Sequence, residues 1–226
     1  MSIITKTDAE IDLMREPCAI VRDTLAFVGE RISAGMSTKE VDELVERFIR
    51  AAGAYPSCLG YGGFPASACV SVNEVVVHGI PDDKTILKDG DIVSVDLCAY
   101  KNGFHGDAAR TFLIGNVSEE KRLLVERTKE CFFKGIENLH AGTPLYDIGY
   151  RVQKYAESFG YGVIRSYTGH GIGREMHEDP AVPNYGRLGT GPRLKANTVI
   201  CIEPMISMGN YRVRILDDDW GAVTID

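Results

Sequence analysis

Three features of the sequence predict an α+β fold in which an antiparallel sheet is covered by helices. Capped helical segments occur in two pairs, at residues 7–53 and 118–160, and each pair gives way to runs rich in β-branched residues. The third feature is an internal repeat. At an offset of 107 residues, Asp91-Ile-Val-Ser-Val-Asp96 falls on Thr198-Val-Ile-Cys-Ile-Glu203, so two apolar runs end in a carboxylate at the matching position. The register persists upstream, where Ala34-Gly35 meets Ala141-Gly142, Val41 meets Ile148, Val45 meets Val152, Phe48 meets Tyr155 and Gly53 meets Gly160. A period near half the chain indicates a duplicated half related by a pseudo-twofold axis rather than a solenoid. The 226 residues are therefore expected to form a single domain, 1–226, built from halves of about 7–115 and 118–226, with shared sites between them.

The elements follow in order. Thr7-x-x-Glu10 is a capping box that satisfies free amides at a helix start, and it predicts a helix running to about Ser33. Ser37-x-x-Glu40 opens a second helix that Gly53 stops. Ala68 to Val77 and Asp91 to Tyr100 read as strands, and Asn102-Gly103 is a hairpin signal that returns the chain through Phe104 to Ile114. In the second half Ser118 caps a helix to about His140, and Thr143-Pro144 places proline at the first position of a helix ending at Gly160. Val199 to Met205, Tyr211 to Leu216 and Trp220 to Ile225 are the closing strands.

Composition removes several classes of function. A net charge of −7 argues against a nucleic-acid or anionic-membrane surface, both of which need clustered positive charge. The first ten residues lack the apolar core of a signal peptide, and no stretch approaches the ~20 apolar residues of a membrane span. A soluble, cytoplasmic protein is expected. The cysteines at 18, 58, 69, 98, 131 and 201 form no CxxC pair, which excludes a zinc knuckle and predicts free thiols.

The chemistry is carried by carboxylates and histidines. Asp96 and Asp107 flank the hairpin turn and lie within a position or two of facing each other, where two ionised carboxylates repel unless one is protonated or a cation intervenes. A structural ion pair with Arg110 is the alternative. Glu203 joins them through the repeat, unless it only caps the turn before Pro204, and His170 lies between glycines that let an imidazole approach a site closely. Together these donors suit divalent Mn, Fe, Co or Zn, and bridging carboxylates can hold two ions. His78 ends the run Val75-Val76-Val77 and His177 follows Met176, so each is either a hydrogen-bonded structural histidine or a group that binds a substrate amide or an oxyanion. Tyr61-Gly-Gly-Phe64 and Thr168-Gly-His-Gly-Ile-Gly173 lack the setting of nucleotide loops and serve close backbone approach. No GxSxG elbow, HExxH helix or papain-like cysteine is present, which leaves metal-assisted hydrolysis.

Five segments, taken in order, resemble the type I methionine aminopeptidases. They are Asn73-Glu-Val-Val-Val-His78-Gly79, Val95-Asp96 with Gly106-Asp107, Gly169-His170-Gly171-Ile-Gly173, His177-Glu178-Asp-Pro180 and Ile202-Glu203-Pro204-Met205. The resemblance implies a pita-bread fold and removal of the initiator methionine from nascent proteins whose second residue is small. It implies two divalent ions (Co, Mn, Fe or Zn) on Asp96, Asp107, His170 and Glu203, with Glu203 also shuttling protons, His78 contacting the scissile amide and His177 steadying the tetrahedral intermediate. It further implies a methionine pocket of Cys58, Tyr61, Phe64, Cys69, His78, Met176 and Trp220, in which Phe64 and Met176 stand where some bacterial members carry Tyr and Phe. Apolar, polarisable walls suit a thioether. The absence of a large helical insertion favours type I over type II. Nascent N-termini are the expected partners, ribosome association is a family option, and a monomer is expected.

The family also carries a fifth ligand, a bridging Glu on a strand beyond the segment that ends here at Asp226. In the repeat, the counterpart of Asp107 is Arg214. The expectation is thus of a chain lacking its final strand, and the alternative function is a catalytically inactive pita-bread fragment or peptide-binding module.

Overall fold

The capping residues set where the helices begin. In the computed structural model, which describes residues 3–225, Thr7 accepts from the Glu10 amide at 3.2 Å while the Glu10 carboxylate accepts from the Thr7 amide at 2.8 Å. Ser37 and Glu40 repeat the exchange at 3.1 and 2.7 Å. Two orphan donors are satisfied at each start. Helix α1 covers Asp8–Gly29, ending short of the expected Ser33, and α2 covers Thr38–Ala51, with Ala52 as its C-cap and Gly53 following at a φ of 67° as the expected stop.

The first half then lays down strands β1 (Tyr55–Pro56), β2 (Ala68–Val72), β3 (Val75–Val77), β4 (Ile92–Lys101) and β5 (Phe104–Leu113). The expected strand 68–77 is broken because Asn73 adopts a left-handed φ of 52°, which turns the chain and sends β3 to another sheet. Strands β4 and β5 pair in unbroken register from Ile92–Leu113 to Lys101–Phe104 around the Asn102-Gly103 turn. On its other edge β4 pairs with β2 and β1. Because side chains alternate, Val93, Val95, Leu97 and Ala99 face α1 and α2 and share a core with Val21, Leu25, Val41, Val45 and Ile49. A Leu97→Ala change at this fully buried position costs roughly 2–5 kcal/mol. The other face presents Ser94, Asp96 and Cys98. At Gly106, an added Cβ would lie 2.5 Å from the carbonyl carbon of Pro17, so α1 crosses β5 at a distance only glycine permits.

The second half opens with α3 (Glu119–Ile136) and α4 (Tyr146–Glu157), packed through Cys131, Val152 and Ala156. Helix α3 stops short of the expected His140. Pro144 is not at the first position of α4: it forms a bridge with Arg193, the Leu145 amide donates to the Pro192 carbonyl, and the helix starts only at Tyr146. Short strands follow: β6 (Gly162–Val163), β7 (Gly169–Gly171), β8 (Glu178–Val182), β9 (Ile206–Ser207), β10 (Val213–Ile215) and β11 (Ala222–Thr224). They pair as β6–β9, β7–β8 and β10–β11–β3, all antiparallel.

The expected strand Val199–Met205 is not regular. It meets β7 through the Gly171–Ile200 bridge, with the Cys201 amide donating to the His170 carbonyl at 2.7 Å, and among the described residues no second strand pairs with it. Strand propensity is realised only against a partner, and one bridge does not sustain a ladder. No helix among the described residues is long and apolar enough to cross a membrane.

Candidate metal centre

The hairpin register decides where the first two carboxylates stand. Asp96 is opposite Ala109 and Asp107 is opposite Cys98, so the two carboxylates are diagonal neighbours on the face turned away from α1 and α2. No lysine or arginine forms an ion pair with either among the described residues, and Arg110 instead lies 5.2 Å over the Phe112 ring. The ion-pair alternative is therefore not the one adopted. Burial, and then the charge of Asp107, push Asp96 well above the usual carboxylate range.

The second half brings His170 and Glu203 to the same place. His170 Nε2 is 3.4 Å from Asp107 Oδ2 and 3.3 Å from Glu203 Oε1. Its Nδ1 lies 2.8 Å from the Gly171 carbonyl, a contact that requires Nδ1–H to donate and so directs Nε2 at the two carboxylates. Only a proton or a cation can occupy that position favourably. Burial opposes a charged His170, but the Asp107 hydrogen bond and the nearby carbonyl and carboxylates prevail and raise its pKa. Glu203 is pushed up to about 7 by burial and by Asp107, against the pull of His170. Its Oε1 atom is buried without a hydrogen bond, since the His170 contact is not aligned as one.

This donor set fits a divalent cation. Three carboxylates that cannot ionise together without compensating charge, an imidazole nitrogen held toward them and an orphaned carboxylate oxygen are what a metal centre needs. Asp107, His170 and Cys201 each offer a ligand atom, and these atoms lie within 4.8 Å of one another.

The glycines around His170 explain how it reaches the site. A Cβ on Gly169 would sit 2.2 Å from the Cys201 carbonyl oxygen, and one on Gly171 would sit 2.3 Å from that of Asp179. Strand β7 is thus wedged between β8 and residues 199–201, with no room for side chains on either flank of the histidine.

A cavity of about 370 Å³ holds all of the candidate residues. Asp96, Asp107, His170 and Glu203 line it together with His78 and His177 and with Cys58, Tyr61, Phe64, Cys69, Met176 and Trp220. Phe64 and Trp220 meet edge to face at 5.1 Å, and His78 is edge-on to Tyr167 at 5.2 Å. His78 has a φ of 59°, a costly conformation for a residue with a Cβ and one associated with functional positions. His177 Nδ1 lies 2.8 Å from the Tyr61 hydroxyl, and its ring centroid is 4.2 Å from that of His170. Burial keeps His78 and His177 below the ordinary histidine pKa, with the charge of His170 reinforcing the effect at His177. Both are neutral at pH 7.

Sequence reasoning missed Cys98, Ser166, Tyr167, Thr168 and Met205, which line the same cavity. Cys98 was accessible from period-2 alternation with Asp96. Residues 166–168 carry no local signal, because tertiary folding alone brings that loop to the cavity.

Residues 12–225 match metallopeptidase family M24. The chain is 53% identical over 224 residues to a methionine aminopeptidase of Clostridium acetobutylicum, an alignment covering 99% of this chain and 90% of that protein. The crystal structure of methionine aminopeptidase from Rickettsia prowazekii is similar with a TM-score of 0.97 at 40% identity, covering 99% of this chain and 90% of that one. The crystal structure of methionine aminopeptidase from Thermotoga maritima also gives 0.97, at 43% identity, covering 100% and 90%.

Proposed function

The chain belongs to metallopeptidase family M24 and has the pita-bread fold, and from that premise we propose that it is a metal-dependent aminopeptidase releasing N-terminal methionine from nascent proteins with a small second residue. The observation that carries this reading is the joining of the four oxygen and nitrogen donors to an apolar, sulfur- and aromatic-walled pocket in one cavity. Donors alone would serve any metal protein; the adjoining pocket suits an unbranched thioether side chain. Nothing in the site or among the relatives favours the inactive-module reading.

Two divalent ions would be held by Asp96, Asp107, His170 and Glu203, and Asp107 and His170 already face each other at 3.4 Å. When bound, the ions supply Lewis acidity to the scissile carbonyl and to the attacking water. The remaining work falls to side chains. Glu203 takes the proton from the attacking water and returns it to the departing amine, its carboxylate lying in the cavity beside the other donors. His177, neutral and held through Nδ1 at Tyr61, presents Nε2 to the oxygen on which charge develops. His78, fixed by its backbone and by Tyr167, contacts the scissile amide. The substrate methionine extends between Phe64, Cys69, Met176 and Trp220, where burying its side chain contributes roughly 1.5–3 kcal/mol. The two halves act as one catalytic domain in the cytoplasm, where nascent chains emerge, and the enzyme works as a monomer.

The test is incubation of the protein with Mn, Co or Fe(II) and a Met-Ala-Ser peptide. Methionine should appear, and chelation should stop its release. An intact peptide after incubation with folded, metal-loaded protein would end the proposal.

A further inference from the structure

We propose that Asn184 is the positioning residue for Glu203: its side-chain amide takes the place of the strand partner that residues 199–205 do not find among the described residues, and so holds the Glu203 carboxylate toward His170. This rests on the aminopeptidase reading above and concerns a residue outside the cavity wall described there.

Glu203 stands in a segment held at intervals rather than along a ladder. The Cys201 amide donates to the His170 carbonyl at 2.7 Å, and the Ile164 amide donates to the Met205 carbonyl at 3.0 Å. Between these points Pro204 has no amide to donate, and it confines Glu203 to extended backbone. The Glu203 carbonyl is taken up by Asn184, whose Nδ2 donates to it at 2.6 Å. Asp96, the repeat counterpart of Glu203, is instead paired on both edges of its strand, opposite Cys69 and Ala109.

Asn184 is itself held in place. It is fully buried and lies two residues past β8, the strand that pairs with the His170-bearing β7. Helix α4 meets it at Gly149, where a Cβ would lie 2.3 Å from the Pro183 carbonyl oxygen and 2.5 Å from that of Tyr185. One segment therefore fixes both second-half donors, His170 through strand pairing and Glu203 through the amide. The direction of the amide is settled too, because turned over it would press Oδ1 against the Glu203 carbonyl oxygen, acceptor against acceptor. As placed, Oδ1 is buried without a hydrogen bond. An unpaired acceptor in the interior is unfavourable, so packing alone would favour an apolar side chain here. The hydrogen bond that Asn184 does make is the one to Glu203.

The test compares Asn184→Leu, which keeps the bulk and loses the donor, with Asn184→His, whose Nδ1–H can stand where Nδ2 stood. In Asn184→Leu, kcat for a Met-Ala-Ser peptide should fall about 10–100-fold with KM within about twofold, and the ligand-field bands of bound Co(II) should change. Asn184→His should restore kcat to within about threefold. Ile49→Ala, a cavity in the first-half core, should lower thermal stability while leaving kcat and the Co(II) bands as they were. Unchanged kcat and bands in Asn184→Leu, or a histidine variant as impaired as the leucine variant, would overturn the proposal and leave the aminopeptidase reading intact. Absence of methionine release from the unsubstituted, metal-loaded chain would end that reading, while the Co(II) bands of the variants would still decide the role of Asn184. Should Asn184→Leu fail to fold, the unsubstituted protein decides: the Asn184 side-chain amide protons should exchange slowly by nuclear magnetic resonance, and exchange at the rate of an exposed amide would overturn the assignment.

Discussion

The two sources of the metal donors differ in how firmly the fold holds them. Asp96 and Asp107 project from a ten-residue hairpin, paired along its whole length and backed by two helices through a continuous core. His170 and Glu203 come from β7 and from residues 199–205, which share one isolated bridge and a few backbone hydrogen bonds. Among the described residues, the same repeat unit is fully paired in one half and sparsely paired in the other. A cavity of about 600 Å³ lies beside the weaker one, lined by Ser94 and Thr111 from the hairpin and by residues 204–209. The first half thus presents its two carboxylates from a fully paired hairpin, and the second half presents its two donors from segments with few backbone pairings among the described residues.

The largest effect that separates the two regions is chemical. Asp107→Ala removes the hairpin carboxylate in contact with His170, and methionine release should fall by more than about 10³-fold, above the ~10²–10³ range of a single oxyanion donor. Full activity in this variant would break the metal assignment. His177→Ala should lower kcat by about 10²-fold and change KM little, because its role is confined to the transition state. An equal rise in KM would instead assign His177 to ground-state binding.

Backbone substitutions sharpen the contrast further. Gly106→Ala forces a Cβ into α1 and should cost about 1–3 kcal/mol of global stability, seen as a lower midpoint in denaturant. Gly169→Ala produces a comparable clash with Cys201, but the loosely paired segment can yield. Its stability loss should be smaller and its loss of metal affinity larger. The opposite ranking would show that residues 199–205 are as rigid as the hairpin.

The smallest effect is a dependence on pH in the metal-free protein. Glu203 has a folded-state pKa of about 7 against an ordinary value of 4.5, so the folded state holds the proton more tightly than the unfolded state. Stability is greatest below the ordinary value and declines as pH rises through about 7, and Asp96, raised for the same reason, adds to the trend. Thermal melts of chelated protein should fall between pH 5 and pH 8, and saturating metal should flatten the decline. Stability rising over that range would contradict the electrostatic picture.

How far the sequence reveals the molecule follows the same division. Helix starts were legible because Thr7–Glu10 and Ser37–Glu40 are local devices, and the hairpin was legible because Asn102-Gly103 fixes both turn and register. Residues 199–205 carry the same β-branched composition as β4, but a strand needs a partner that composition does not reveal. Pro144 was misplaced for a related reason: its bridge to Arg193 is a long-range contact that displaces the helix start. The left-handed turn at Asn73 and the short strands at 162–163, 169–171 and 178–182 were likewise invisible to periodicity, being too brief to establish one. The side chains of the site were easier to read than its scaffold, since charge on an apolar strand and histidine between glycines need physical reasons wherever they occur. What did not follow was the neighbourhood of those side chains, including Cys98 beside Asp107 and the sulfur of Cys201 near His170.

Amide hydrogen exchange with and without Co(II) tests the contrast between the hairpin and the second-half donor segments most directly. Strands β4 and β5 should be strongly protected in both states, while the amides of residues 199–205 should exchange rapidly without metal and slow by at least about tenfold when it binds. Equal protection of the two regions in the metal-free protein, or slowing confined to the hairpin, would contradict it.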